Sequence, residues 1–155
     1  MISTVTLTQG LPARHRARLL RFARDAAFTP GTRLFEEGCR ADRFWVLKSG
    51  TVALDMRMPG RRAPVLETVG ADELVGWSWL FSPYVWRLGA EALTPVRAHE
   101  FDAMAVRLMC QDDRDLGMEV WRWVGKVLCH RLAATRSLLL DVYEPSGDAE
   151  TLRAG

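Results

Sequence analysis

Between Gly76 and Arg87 the chain reads Gly-Trp-Ser-Trp-Leu-Phe-Ser-Pro-Tyr-Val-Trp-Arg, which holds three of its six tryptophans. A glycine-opened turn followed by one arginine suits an anion, because main-chain N–H groups and a guanidinium both donate to phosphate or carboxylate oxygens. The tryptophans point elsewhere. An indole face suits a flat ring, and clustered aromatics also fill cores or anchor interfaces. Gly76, Trp77, Ser78, Trp79 and Arg87 are therefore the candidate ligand-binding residues. Little else competes. His15, His99 and His130 are scattered, and Cys39, Cys110 and Cys129 form no Cys-x-x-Cys or Cys/His cluster. No metal site, disulfide framework or catalytic residue is expected.

The elements that must position this segment fall into three parts. From Leu11 to Asp25 the sequence favours a helix, with Pro12 in its first turn and Leu11, Leu19, Leu20 and Phe22 set among five arginines. Those arginines read as a solvated outer face. From Ala27 to Phe101 short apolar runs alternate with turns. Thr29-Pro30-Gly31 and Pro59-Gly60 are turn signals, and Ser49-Gly50 between Phe44–Lys48 and Thr51–Asp55 reads as a two-residue hairpin. Ala92 to Phe101 reads as a strand pair or one long edge strand. Strands of this length and spacing indicate an antiparallel sandwich or roll.

From Asp102 onward the pattern is helical. Asp102 caps a short helix, and Asp112 or Asp113 caps a long one running to about Val142, ended by Pro145 and Gly147. Along the long helix Trp121, Val124, Leu128, Thr135, Leu138 and Val142 recur at helical spacing, interrupted by Arg131. That seam is long for one small roll, so pairing with a second copy is expected. The reading is α+β, with a β-roll over residues 27–101 flanked by a helix over 11–25 and helices over 102–143. Residues 1–145 form one domain, and 146–155 a flexible tail.

Bulk properties bound the function. A chain of 155 residues can bury ~70% of its unfolded surface without staples. A net charge of +2 is too small for a dedicated nucleic-acid binder. No apolar run reaches the ~18 residues that span a bilayer, and no secretory signal opens the chain. No membrane association is expected, and the cytoplasm is the default location.

Specific residues now carry a resemblance. Phe35-Glu36-Glu37-Gly38, followed by Phe44-Trp45-Val46-Leu47-Lys48-Ser49-Gly50-Thr51-Val52, resembles the opening of a cyclic-nucleotide-binding domain. Val69-Gly70-Ala71-Asp72-Glu73-Leu74-Val75-Gly76 resembles the segment leading into that family's phosphate-binding cassette. The likeness runs from about residue 20 to 143, closest to the catabolite-activator-like branch. It implies a jelly-roll-like β-roll closed by a C-terminal helix, with a purine nucleotide between them. Cassette N–H groups and an arginine would meet the cyclic phosphate, a glutamate the ribose 2′-hydroxyl, and a small hydroxyl residue would follow the arginine. The long helix of such domains dimerises and touches the base, which places Thr135 and Arg136 near a ligand.

The chain departs from this pattern at the cassette. Where the glutamate is expected stands Trp77, whose indole N–H donates and accepts nothing. Aligned on Ala90, the arginine slot falls on Leu88 and the hydroxyl slot on Gly89. Aligned on Arg87, the arginine survives and the hydroxyl becomes Leu88. A site built around such bonds loses orders of magnitude in affinity without them. Ser78 is a substitute acceptor, and Arg87 or Arg97 can still meet an anion.

The expected function is thus a stand-alone regulatory module with a divergent cassette, acting through ligand sensing, homodimerisation or docking to a protein partner. Two alternatives stay open: a cAMP or cGMP sensor using Arg87, Ser78 and main-chain amides, and a Trp-rich scaffold without a small-molecule ligand. A cupin-type enzyme would need clustered His and carboxylate ligands on strands, and only His99 lies on one. Family transcription factors carry a helix-turn-helix domain after the long helix, and this sequence runs about ten residues past it. No direct DNA binding is expected.

Overall fold

The computed structural model describes residues 5–143; the expected tail lies outside them. The chain opens with a one-turn helix, α1 (Leu7–Gly10), closed by a capping box in which the Thr6 hydroxyl accepts from the Gln9 N–H at 3.2 Å. After Pro12 comes α2 (Ala13–Leu20), which buries Leu19 and His15. The helix stops five residues short of the expected boundary. Arg24–Phe28 is instead strand β1, paired antiparallel with β7 from Arg24–Glu100 to Phe28–Val96. Pairing with a strand seventy residues away outweighs the weak local helix preference of Arg-Asp-Ala-Ala-Phe.

The remaining strands are β2 (Arg33–Phe35), β3 (Arg43–Ser49), β4 (Val52–Asp55), β5 (Val65–Val69), β6 (Gly89–Ala92) and β7 (Val96–Asp102). They form two antiparallel sheets, ordered β1-β7-β3 and β2-β6-β4-β5. This is the expected jelly-roll-like β-roll within an α+β chain. Two connections differ from the sequence reading. Ser49-Gly50 is no hairpin: β3 pairs with β7, while β4 pairs with β5 and β6, so this turn carries the chain from one sheet to the other. Gly50 has φ +90°, and a Cβ there would lie 2.3 Å from the Pro95 carbonyl oxygen. The Ala92–Phe101 stretch likewise splits between the sheets, and β7 is the central strand of its sheet rather than an edge.

Two capped helices close the roll. Asp102 accepts from the Ala105 N–H at 3.0 Å and starts α3 (Ala103–Asp112). Asp113 accepts from the Leu116 N–H at 3.2 Å at the start of α4 (Arg114–Tyr143), and also pairs with Arg18. Both starts match the sequence reading, because a cap is a local device. Gly117 lets the two helices touch, since a Cβ there would lie 2.5 Å from the Cys110 carbonyl oxygen.

At 30 residues, α4 is about 45 Å long. Its first half buries Leu116, Val120, Trp123, Val124 and Val127 against the roll. Trp123 lies so near α1 that a Cβ on Gly10 would sit 2.1 Å from its ring. The expected seam therefore mixes two faces. Val124 belongs to the chain's own core, whereas Trp121, Leu138 and Val142 are exposed. Trp121 lies on the outer face of the covered half, whereas Leu138 and Val142 lie beyond Val127, the last buried side chain of the helix.

Candidate functional site

The cassette begins where β5 ends. A turn through Gly70, Asp72 and Glu73 is tied by the Glu73 carboxylate, which accepts from the Gly70 N–H at 2.9 Å. Val75 N–H donates to Trp45 O at 2.9 Å, delivering Gly76 to the mouth of the roll. A single 3₁₀ turn, Ser78–Leu80, follows. Trp79 points into the core: fully buried, it stacks on Phe44 at 3.8 Å and donates from Nε1 to the Gly76 carbonyl at 2.9 Å. Trp77 is half-buried and packs edge-on to Phe81 at 5.9 Å.

The residue that closes the inner pocket is Trp86. Its main chain is stitched to the segment after β2, with Trp86 N–H donating to Cys39 O at 2.9 Å and Gly38 N–H to Trp86 O at 2.8 Å. Its indole lies flat on Phe35, centroids 3.8 Å apart, with Trp45 behind. A Cβ on Gly76 would meet this ring at 2.4 Å. Gly76 thus makes room for a tryptophan of the chain itself. The space left among Phe35, Gly76, Ser78, Trp86 and Arg131 is about 20 Å³, enough for about one water.

A larger cavity of about 300 Å³ lies further out, between Leu66, Trp77, Leu88 and the α4 residues Leu128, Leu132 and Thr135. Arg87 and Arg131 both border it. Arg87 is exposed, with no ion pair among the described residues. Arg131 is held: it donates to the Leu74 carbonyl, and its Nε lies 3.5 Å from Glu67. Burial pushes its guanidinium below the ordinary arginine value, while Glu67 and Glu73 pull it back up. His130 Nε2 reaches the same Glu67 carboxylate at 3.1 Å, leaving its buried Nδ1 without a partner.

The sequence-derived residues therefore part company. Gly76, Trp77, Ser78 and Arg87 border one or both of these spaces, whereas Trp79 is core. Thr135 borders the outer space and donates its hydroxyl to Arg131 O at 2.9 Å. Arg136 is exposed and borders neither. Trp86 and Arg131 were missed. For Arg131 a signal existed, a charge set into the apolar series of a long helix. For Trp86 there was none, since nothing local separates its indole from the other two.

The wider chemistry is sparse. No group of three or more potential metal ligands occurs among the described residues, and the cysteines are free. Burial and nearby Asp113 push the Cys110 thiol up to about 11, which makes it unreactive at neutral pH. No described helix is long and apolar enough to cross a membrane.

The structure is thus a two-sheet roll with the Trp-rich segment between β5 and β6, closed by one long helix. The cyclic nucleotide-binding domain profile matches residues 26–113, more than half of the chain, and the chain belongs to that family. It is 28% identical over 142 residues to a CRP-like cAMP-activated global transcriptional regulator of Mycobacterium tuberculosis, covering 92% of this chain and 62% of that protein. The chain thus spans under two thirds of that relative's length. Two solved structures share the fold. The c-di-GMP responsive global regulator of Xanthomonas campestris superposes with a TM-score of 0.77 at 19% identity, covering 85% of this chain and 65% of that one. A cyclic nucleotide-binding domain from Methylobacillus flagellatus gives 0.76 at 17%, covering 88% and 76%.

Proposed function

We propose that this chain is a regulatory module of the cyclic nucleotide-binding fold, not an enzyme, whose inner cassette takes neither cAMP nor cGMP and whose output is pairing with a second copy through α4. The observation that carries this reading is the Trp86 indole stacked on Phe35 over Gly76, with about 20 Å³ left around it. Ligand cavities run to ~300 Å³ or more, so a nucleotide in the inner pocket would have to displace a buried tryptophan. Trp77 stands where the family's glutamate is expected and brings no acceptor for a ribose hydroxyl.

The pairing is supported by the outer half of α4. Leu128, Leu132, Thr135, Leu139 and Val142 follow one another at alternating steps of four and three, the a/d spacing of a two-stranded seam. Leu132, Leu139 and Val142 are all exposed in the single chain. Docking of another protein through the Trp-rich segment has less to stand on, because Trp79 and Trp86 are buried. A cytoplasmic location accords with the three free cysteines.

Calorimetric titration with cAMP and cGMP tests the cassette: no heat is expected up to ~1 mM nucleotide. Saturable binding that is lost in Arg87→Gln would favour the alternative of a working nucleotide sensor. Light scattering tests the output, with the mass of a dimer expected.

A further inference from the structure

A different cavity, on the far side of the cassette turn, is open and positively charged. It occupies about 360 Å³ between the 3₁₀ turn, α3 and the start of α4, and its walls include Tyr84, Arg107, Gln111, Arg114 and Trp121. No acidic side chain lines it. Neither Arg107 nor Arg114 has a carboxylate within 4.0 Å among the described residues.

Arg107 is nonetheless held in place. One guanidinium nitrogen donates to the Trp79 carbonyl at 2.7 Å, and the group lies 3.9 Å over the Tyr84 ring. A guanidinium has five N–H donors, and this one spends a single nitrogen on hydrogen bonds among the described residues. Tyr84 holds its ring there from a left-handed backbone, φ +57°. That conformation costs a non-glycine residue ~1 kcal/mol or more and tends to persist where a site needs it. On the opposite wall Trp121 is braced edge-to-face against Phe81 at 4.9 Å, yet remains half exposed. An oriented cation, a second cation and two aromatic rings thus converge on one space.

We propose that this cavity binds a small planar oxyanion: an aromatic or heteroaromatic ring of one or two cycles carrying a carboxylate or phosphate. The volume lies at the small end of ligand cavities, ~300–1,000 Å³, which matches a ring system of this size. Arg107 and Arg114 take the oxyanion, and Tyr84 and Trp121 flank the ring. The site is separate from the cassette and independent of whether a nucleotide binds there.

The test is calorimetric titration of the full chain with 1-naphthoate, 1-naphthyl phosphate and the uncharged 1-naphthamide. One or both anions bind, and the amide binds at least ~10-fold more weakly, since a hydrogen bond to a charged group contributes about 1.5–3 kcal/mol. Arg107→Met and Arg114→Gln each weaken the anion by ~10-fold or more, whereas Arg87→Gln, in the outer cassette cavity, leaves it unchanged. Arg114 makes no hydrogen bond or ion pair through its side chain among the described residues, so its variant carries the test if Arg107→Met does not fold. No saturable binding of either anion, equal affinity for the amide, or loss in Arg87→Gln with none in Arg114→Gln would each overturn the assignment.

Discussion

Along the first half of α4, Leu116, Val120, Trp123, Val124 and Val127 are buried against the roll, whereas along the second half Leu132, Leu139 and Val142 stand exposed. In sequence the two halves look alike, apolar side chains at three- and four-residue steps with charges between. What separates them is the partner. The first half covers a roll and completes a core of Phe44, Phe101 and Trp79. The second half runs past the roll, so its apolar face waits for another surface. Between them sits Arg131, tied to the roll through Glu67 and the Leu74 carbonyl. An amphipathic helix thus records that it must cover something, and not what.

The largest way to break this comparison is Trp123→Ala. Removing a fully buried indole is expected to cost about 3–5 kcal/mol, measured by urea denaturation. A cost comparable to that of a surface change would mean that the first half is not the core-bearing half. Arg131→Met comes next, at about 3 kcal/mol, because it leaves Glu67 half-buried with only His130 beside it. A neutral outcome would show that the boundary is held by packing alone.

Leu132→Asp probes the other half. The stability of the single chain should move by no more than ~0.5 kcal/mol, while the mass by light scattering falls from dimer to monomer. Unfolding at a lower urea concentration, with the mass unchanged, would place Leu132 in the core instead. The smallest effect concerns the first turn of α4. The Leu116 N–H, helped by Arg18, holds the Asp113 carboxyl below its ordinary value. Its contribution to stability is therefore present above the unfolded value of ~3.9 and lost as pH falls through the lower folded value. Asp113→Asn keeps the cap but should flatten that acid limb, read from melting temperatures below about pH 4.

How far the sequence reached depended on range. The caps at Asp102 and Asp113 were legible because a side chain, its acceptor and the N–H it serves lie within three residues. The Phe44–Val52 phrase led to the right family, and the roll with its closing helix followed. The first helix was drawn too long because β1 exists only through β7. Ser49-Gly50 was misread as a hairpin because a tight turn is chemically the same whether its strands pair or part. At the cassette, that Trp77 stands where the resemblance expects a glutamate was legible. That Trp86 fills the space was not, since its indole is placed by the Gly38 and Cys39 main chain, nearly fifty residues earlier.

By itself, then, the sequence determined the composition of the site and the periodicity of its elements: a glycine, an arginine and three tryptophans on one turn, and a helix apolar along most of its length. Those properties are set by residue identity and neighbours a few positions apart. Only the tertiary structure decided which indole entered the pocket, which half of the helix was covered, and that Arg107 and Arg114 face a cavity free of acidic side chains. The physical reason is that burial is a property of contacts between distant segments. Chemically equivalent side chains become inequivalent only once the fold assigns each one its surroundings.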